Sequence, residues 1–180
     1  MIRFFHAQAA LLLILAFLTG LPNVAGATPP SGADMQRLEQ GEILLQAILT
    51  DEAGGAGEAR ILTFGDAESF WDVIISCEQA FVFVDGLRQC EVLEDSGDRV
   101  LVRQVVKKHW LIPTQELIFE SLRTPYEEIV FHLVEGDLDV LDGYWRFTPM
   151  DEGVLIDYRA RIKPAMPAPG FLVRRTILKD

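Results

Sequence analysis

From Leu87 to Ile162 the chain is a succession of strand-like segments punctuated by short turns, and this constrains the fold more than any other feature. LRQCEVLED (87–95) and DRVLVRQVVKKHW (98–110) stand on either side of Ser96-Gly97. LIPTQELIFESL (111–122) and EEIVFHLVEG (127–136) flank Arg123-Thr124-Pro125-Tyr126. LDVLDGYWRFTPM (138–150) and GVLIDYRARI (153–162) flank Asp151-Glu152-Gly153. Glycine, proline and acidic residues at such junctions are hairpin signals, so the segments read as an antiparallel meander. The last strand alternates most clearly. Val154, Ile156, Tyr158, Ala160 and Ile162 share one face, and Asp157, Arg159 and Arg161 share the other. One face is expected inside and the other wet. In neighbouring strands Gly143, Trp145 and Phe147 oppose Tyr144, Arg146 and Thr148, while Ile129, Phe131 and Leu133 oppose Val130, His132 and Val134.

Upstream, residues 28–40 begin with proline, serine and glycine and read as a linker or a short lead-in helix. Glu42 to Leu49 suits a strand, and DEAGGAGE (51–58) reads as a glycine-rich turn returning the chain into ARILTF. Asp66 is a good helix N-cap, with Ser69 three positions on; Phe70, Trp71, Val73 and Ile74 then fall on one side of a 3.6-residue repeat. EQAFVFVDGL (78–87) reads as a less regular stretch with a turn at Gly86. The closing PAPGFLVRRTILKD has helix-like apolar spacing at Phe171, Leu172, Ile177 and Leu178.

The amino terminus stands apart. Arg3 precedes an unbroken apolar run from Ala9 to Leu18, Gly20 and Pro22 follow, and Ala25-Gly26-Ala27 offers small residues for cleavage. That order is the signature of a secretory signal peptide covering residues 1–27. The run is well short of the roughly 20 residues that span a bilayer. The mature chain is therefore expected to be soluble, in the periplasm or secreted. In an oxidising compartment Cys77 and Cys90 are expected to pair, a bond that would stabilise by about 3 kcal/mol through the loop it closes.

Charge and motif content exclude several functions. The chain carries a net charge of −11, which becomes −12 once Arg3 leaves with the signal. A polyanion would be repelled, and Lys107-Lys108-His109 and Arg174-Arg175 are too short to outweigh that field, so no nucleic-acid partner is expected. His109 and His132 lack the partners of a metal site, and no metal or cofactor is expected. GxSxG, GxGxxG and GxxxxGK[ST] are missing, and no catalytic residue is assigned. Glu135, Asp137, Asp139 and Asp142 bunch around one turn without calcium-loop spacing and read as a polar turn.

A further observation is the succession FWDVIISCEQ, FVDGLRQCEVLE, GDLDVLDGYWRFTP, GVLIDYRARIKP and PAPGFLVRRTILKD. It resembles the START-like polyketide cyclase/dehydrase superfamily (SRPBCC), in particular the branch of coenzyme Q-binding proteins and bacterial cyclase/dehydrase homologues, over about residues 58–180. The resemblance implies an α+β helix-grip fold over residues 41–180, a curved antiparallel sheet wrapped around a carboxy-terminal helix with a cavity between them. From Gly170 to Asp180 that helix would be only about 16 Å long, either a short grip or a truncated one. The implied partner is a hydrophobic small molecule such as a lipid, quinone or polyketide, with transient membrane contact compatible with such cargo; no oligomeric state follows. In that fold Phe131, Leu133, Trp145, Phe147, Ile156, Tyr158 and Phe171 fit a cavity wall, to which Tyr158 and Gln104 add polar groups. Two alternatives stay open: a cyclase or dehydratase using Tyr158, His132 or a buried acid, and an envelope interaction module whose cavity is a filled core.

Overall fold

The computed structural model describes residues 29–49, 54–108 and 113–165. Its elements run α1 (Gly32–Glu39), β1 (Leu44–Leu49), β2 (Gly55–Thr63), α2 (Ala67–Ile75), α3 (Cys77–Phe83), β3 (Leu87–Asp95), β4 (Arg99–Val106), β5 (Gln115–Thr124), β6 (Glu128–Gly136), β7 (Leu138–Met150) and β8 (Gly153–Pro164). The eight strands form one curved antiparallel sheet in the order β1-β2-β8-β7-β6-β5-β4-β3, so the chain is α+β as the resemblance implied and contains the expected meander. Residues 1–27, expected to be a signal peptide, His109 and the closing segment with Phe171, Arg174 and Arg175 lie outside the described residues.

Register defines the two faces of the sheet. Across β6–β7 and β7–β8, Ile129 stands opposite Trp145, Trp145 opposite Tyr158, Phe131 opposite Gly143, and Phe147 opposite Ile156. These residues share the inner face with Val100, Val102 and Val106 of β4 and with Phe119 and Ser121 of β5. Gly143 permits the tight approach there. A Cβ at this position would lie 2.6 Å from Phe131 Cζ and would also collide with the Arg159 carbonyl oxygen. The phenyl ring of Phe131 thus occupies space that a side chain would otherwise take.

Two packed cores sit at opposite ends of the inner face. The β3–β4, β5–β6 and β7–β8 turns and the end of β2 lie at one end of the sheet. There Trp71 of α2 is buried with Ile129, Phe147, Val154 and Ile156, with Phe70 and Ile74 packed alongside. At the other end Ala80 of α3 is buried with Leu87, Val106 and Leu117, and Phe83, Leu133 and Leu141 pack against them. Burying an aromatic or large aliphatic side chain is worth about 1.5–3 kcal/mol, which holds the two helices to the sheet. A disulfide joins Cys77 at the start of α3 to Cys90 in β3, with Cα atoms 5.4 Å apart.

In the lead-in the helix alternative holds, capped by the Ser31 hydroxyl accepting from the Asp34 N–H, and Leu38 is fully buried. Three local expectations are adjusted. Gly55 to Glu58 belong to β2 instead of a turn, because β1 and β8 pair with them on both sides. Residues 77–83 are helical because the Ser76 side chain accepts from the Gln79 N–H and starts a new turn. Finally, the outer face of β8 is not uniformly wet, since Leu155 and Asp157 are buried. Asp157 is buried because Arg60 donates to it at 2.6 Å. Arg146, opposite Asp157 in β7, pairs in turn with Glu128 at 2.5 Å, so charges alternate along this row. No helix among the described residues is long and apolar enough to cross a membrane.

Candidate ligand-binding face

Between the two cores the inner face carries an aromatic strip. The rings of Trp145 and Tyr158 are 4.2 Å apart between centroids, and those of Phe119 and Phe131 meet edge to face at 6.3 Å. Trp145, Tyr158 and Phe119 are half-buried, and Phe131 is buried. The other expected wall residues divide between the cores. Phe147 and Ile156 belong to the α2 core, where Phe147 lies 5.7 Å from Trp71, and Leu133 packs with the α3 core. Trp145 also packs against the α2 core; it and Tyr158, whose ring lies against it, stay half-buried, with Phe131 beside them.

Polar groups on this face are few. Burial pushes the Tyr158 phenol up to about 12, so at neutral pH it is a neutral hydrogen-bond donor and a poor base. Gln104 directs its Nε2 donor to Cys90 Sγ at 3.8 Å and so faces the disulfide. Arg123 adds a group that the strand pattern does not place here. Its position opposite Ile129 puts it on the inner face next to Ser121, and its Nε donates to the Ser121 Oγ at 3.4 Å. Burial lowers its guanidinium pKa, with the charge of Asp95 acting the other way. In β5 polarity is inverted, for Leu122 is exposed on the outside while Arg123 points in. The signal in the sequence is the step Phe119, Ser121, Arg123, which continues the inner face into residues that read as a turn.

Other polar candidates lie elsewhere. His132 is on the outer face opposite Asp142, half-exposed, with Nε2 3.5 Å from Glu120. Glu120 is engaged by Arg99 as well. Of the acidic bunch, Asp137 accepts from the Glu116 N–H at 2.7 Å, Asp139 faces Lys163 at 3.8 Å and Asp142 pairs with Arg161 at 2.6 Å. These carboxylates stabilise strand ends and cross-strand pairs. Among the described residues no group of three or more histidine, cysteine or acidic side chains could hold a metal ion. Two shallow, open hollows lie beside Phe81–Arg88 and beside the β6–β7 turn, and neither is lined by the aromatic strip.

An inner sheet face with helices packed at both ends is matched by sequence. The profile of the family described as polyketide cyclase / dehydrase and lipid transport covers residues 65–177. The chain belongs to this family. No curated protein matches it in sequence. Solved structures extend the likeness of the polyketide cyclase/dehydrase and lipid-transport fold. A STAR-related lipid transfer protein from Xanthomonas axonopodis (fragment 25–204) superposes with a TM-score of 0.59 at 10% identity, covering 75% of this chain and 90% of that one. A protein from Thermus thermophilus gives 0.56 at 21% identity over 68% and 83% of the two chains. The Zhui aromatase/cyclase of Streptomyces sp. R1128 gives 0.53 at 16% identity over 64% and 71%. At these identities the likeness is one of fold.

Proposed function

We propose that this chain is an exported binding or carrier protein for a hydrophobic small molecule with one polar end, such as a lipid, quinone or polyketide-like compound. The observation that carries the reading is the half-buried pair of Trp145 and Tyr158 at the edge of the α2 core, with Arg123 on the same face two strands away. An apolar ligand body against the strip would leave water at about 25 cal/mol per Å² buried. A carbonyl or acidic group at one end of the ligand would accept from Arg123 or, on the far side of Trp145, from Tyr158, both donors at neutral pH. Phe131 and Leu133 extend the apolar side, and Phe147 and Ile156 give it a rigid floor. The family description and the names of the Xanthomonas and Streptomyces proteins support a hydrophobic ligand. Export is supported by the signal segment and by the Cys77–Cys90 bond, since disulfides persist in oxidising compartments.

A second reading, a cyclase or dehydratase, is favoured by one observation. Arg123 and Ser121 converge on an apolar face, where a guanidinium would stabilise an enolate-like oxyanion. His132 takes no part in either reading, because it faces outward.

Native mass spectrometry of the protein purified from its own envelope separates these readings. Carriage predicts one co-purifying hydrophobic species, kept by Trp145→Phe and lost by Trp145→Asp while both variants are exported. An empty wild-type protein that converts added polyketide-like substrates would favour the enzyme.

A further inference from the structure

The sheet ends in two edge strands, β1 and β3, and they differ in how they are guarded. A strand edge presents unpaired N–H and C=O groups on every second residue, and proteins blunt it with charges or bulges. In β3 four of the nine residues are charged: Arg88, Glu91, Glu94 and Asp95. Its register with β4 shifts twice, between Leu87 and Gln89 and between Val92 and Glu94, and the Cys77–Cys90 bond ties α3 beside it. Although Val92 and Leu93 are exposed, that edge is poorly suited to accept another strand.

Strand β1 carries no such charge or bulge. Its sequence, LLQAIL, also lacks proline and glycine. Consecutive residues pair with β2 from Leu44 opposite Arg60 to Leu49 opposite Gly55 without a shift. Among the described residues no strand pairs with its other edge. Leu45 is 58% exposed and Ile48 39%, and Ile43 just before the strand is 54% exposed. The charges beside β1 are matched within the chain: Glu42 with Arg37 at 2.7 Å, Glu58 with Arg159 at 3.3 Å, and Asp157 with Arg60 at 2.6 Å. In a chain of net charge −11, this is an edge that an equally acidic body can approach.

We propose that β1 pairs antiparallel with β1 of a second copy of this chain, about a two-fold axis through Gln46. Gln46 then stands opposite Gln46 of the partner subunit, Leu44 opposite the partner's Ile48, and Leu45 opposite the partner's Ala47. Leu44, Gln46 and Ile48 share the outer face with Glu58 and Arg60, and Leu45 and Ala47 share the inner face with Gly57 and Ala59. Each face therefore meets its own kind across the axis, an amide between apolar residues outside and apolar residues inside. A foreign strand would satisfy the same backbone groups, but an uncharged edge holds nothing to select it, whereas the run from Leu44 to Ile48 complements itself. Such pairing is isologous and uses the open edge of both copies, so assembly stops at two. Joining β1 to β3 would leave an edge at each end and continue into a fibre, which the charges and bulges of β3 oppose. Pairing does not depend on what the inner face binds, so it stands or falls separately from the carrier reading.

Sedimentation equilibrium of the purified chain over a series of concentrations tests it. The wild type should pass from the monomer mass to twice that mass as concentration rises. Gln46→Lys sets two like charges face to face and should weaken dimerisation about fivefold or more, and Gln46→Glu should do the same. Mixing these two variants should restore the dimer, since opposite charges then meet across the axis. Leu93→Lys on the β3 edge should leave the dimer unchanged, and circular-dichroism melting establishes that each variant is folded. A wild type that stays monomeric throughout overturns the proposal, the edge then serving a foreign strand or the closing segment of the chain. A dimer that Gln46→Lys leaves intact, or that the mixture fails to restore, overturns it as well, because the copies then meet elsewhere.

Discussion

Arg123 is the residue that departs most from its surroundings, a guanidinium facing the apolar side of a sheet while its neighbour Leu122 faces water. Removing it should relieve a desolvated charge and leave the fold intact. Arg123→Met is expected to weaken binding of an apolar carboxylate by about tenfold or more, since hydrogen bonds to charged groups are worth about 1.5–3 kcal/mol, and to spare a neutral analogue. Isothermal titration with the acid and its methyl ester measures the split. Tyr158 supplies a second test at this scale. Its folded pKa of about 12 lies above the ordinary value of 10, so the unfolded chain ionises first as pH rises. Stability linked to this phenol is therefore complete below pH 10 and is lost between about pH 10 and 12. Urea midpoints at pH 9 and 11 should fall more for the wild type than for Tyr158→Phe, and equal slopes would remove the assignment. The alternation through Val154, Ile156, Tyr158 and Ala160 made the inner face of β8 legible from sequence. Arg123 was hidden because a polarity pattern sorts charges outward, and only strand register shows one turned in.

At the scale of elements, local chemistry and tertiary packing contribute unequally to what could be read. The start of α2 was evident from Asp66, whose carboxylate accepts from the Ser69 N–H at 2.8 Å and whose pKa is lowered by that bond. Helix α3 was not evident, since seven residues give barely two turns of periodicity. Its permanence comes from Ala80 and Phe83 in the core and from the disulfide, which are contacts at a distance in sequence. β2 was misread at Gly55 to Glu58 for the same reason: glycine signals a turn unless neighbouring strands claim both edges. Replacing Cys77 and Cys90 by serine should lower unfolding free energy by about 3 kcal/mol in chemical denaturation, through the lost loop constraint. Trp71→Ala should cost about 3–5 kcal/mol, because it empties the core shared by α2 and the inner face. A Trp71 variant as stable as wild type would mean that α2 is not held as described.

For the whole molecule, the run of hairpin turns set the meander, and the meander set one large antiparallel sheet with an inside and an outside. What alternation could not specify was how much of that inside is filled. Phe147, Ile156, Leu133 and Trp145 looked equivalent to Tyr158 in a strand pattern, yet the α2 and α3 cores take up the first four, Trp145 at the edge. The proposed ligand binding centres on Trp145 and Tyr158, and one titration addresses it. Adding the apolar anion 1-anilinonaphthalene-8-sulfonate to isotopically labelled protein and following NMR shifts tests where such a molecule lodges. Saturable one-to-one binding should move the Trp145 indole N–H together with the signals of Tyr158, Phe131 and Arg123, leaving outward-facing Val130, His132 and Tyr144 unmoved. Shifts confined to the outer face, or an unperturbed Trp145 indole at saturation, would contradict it.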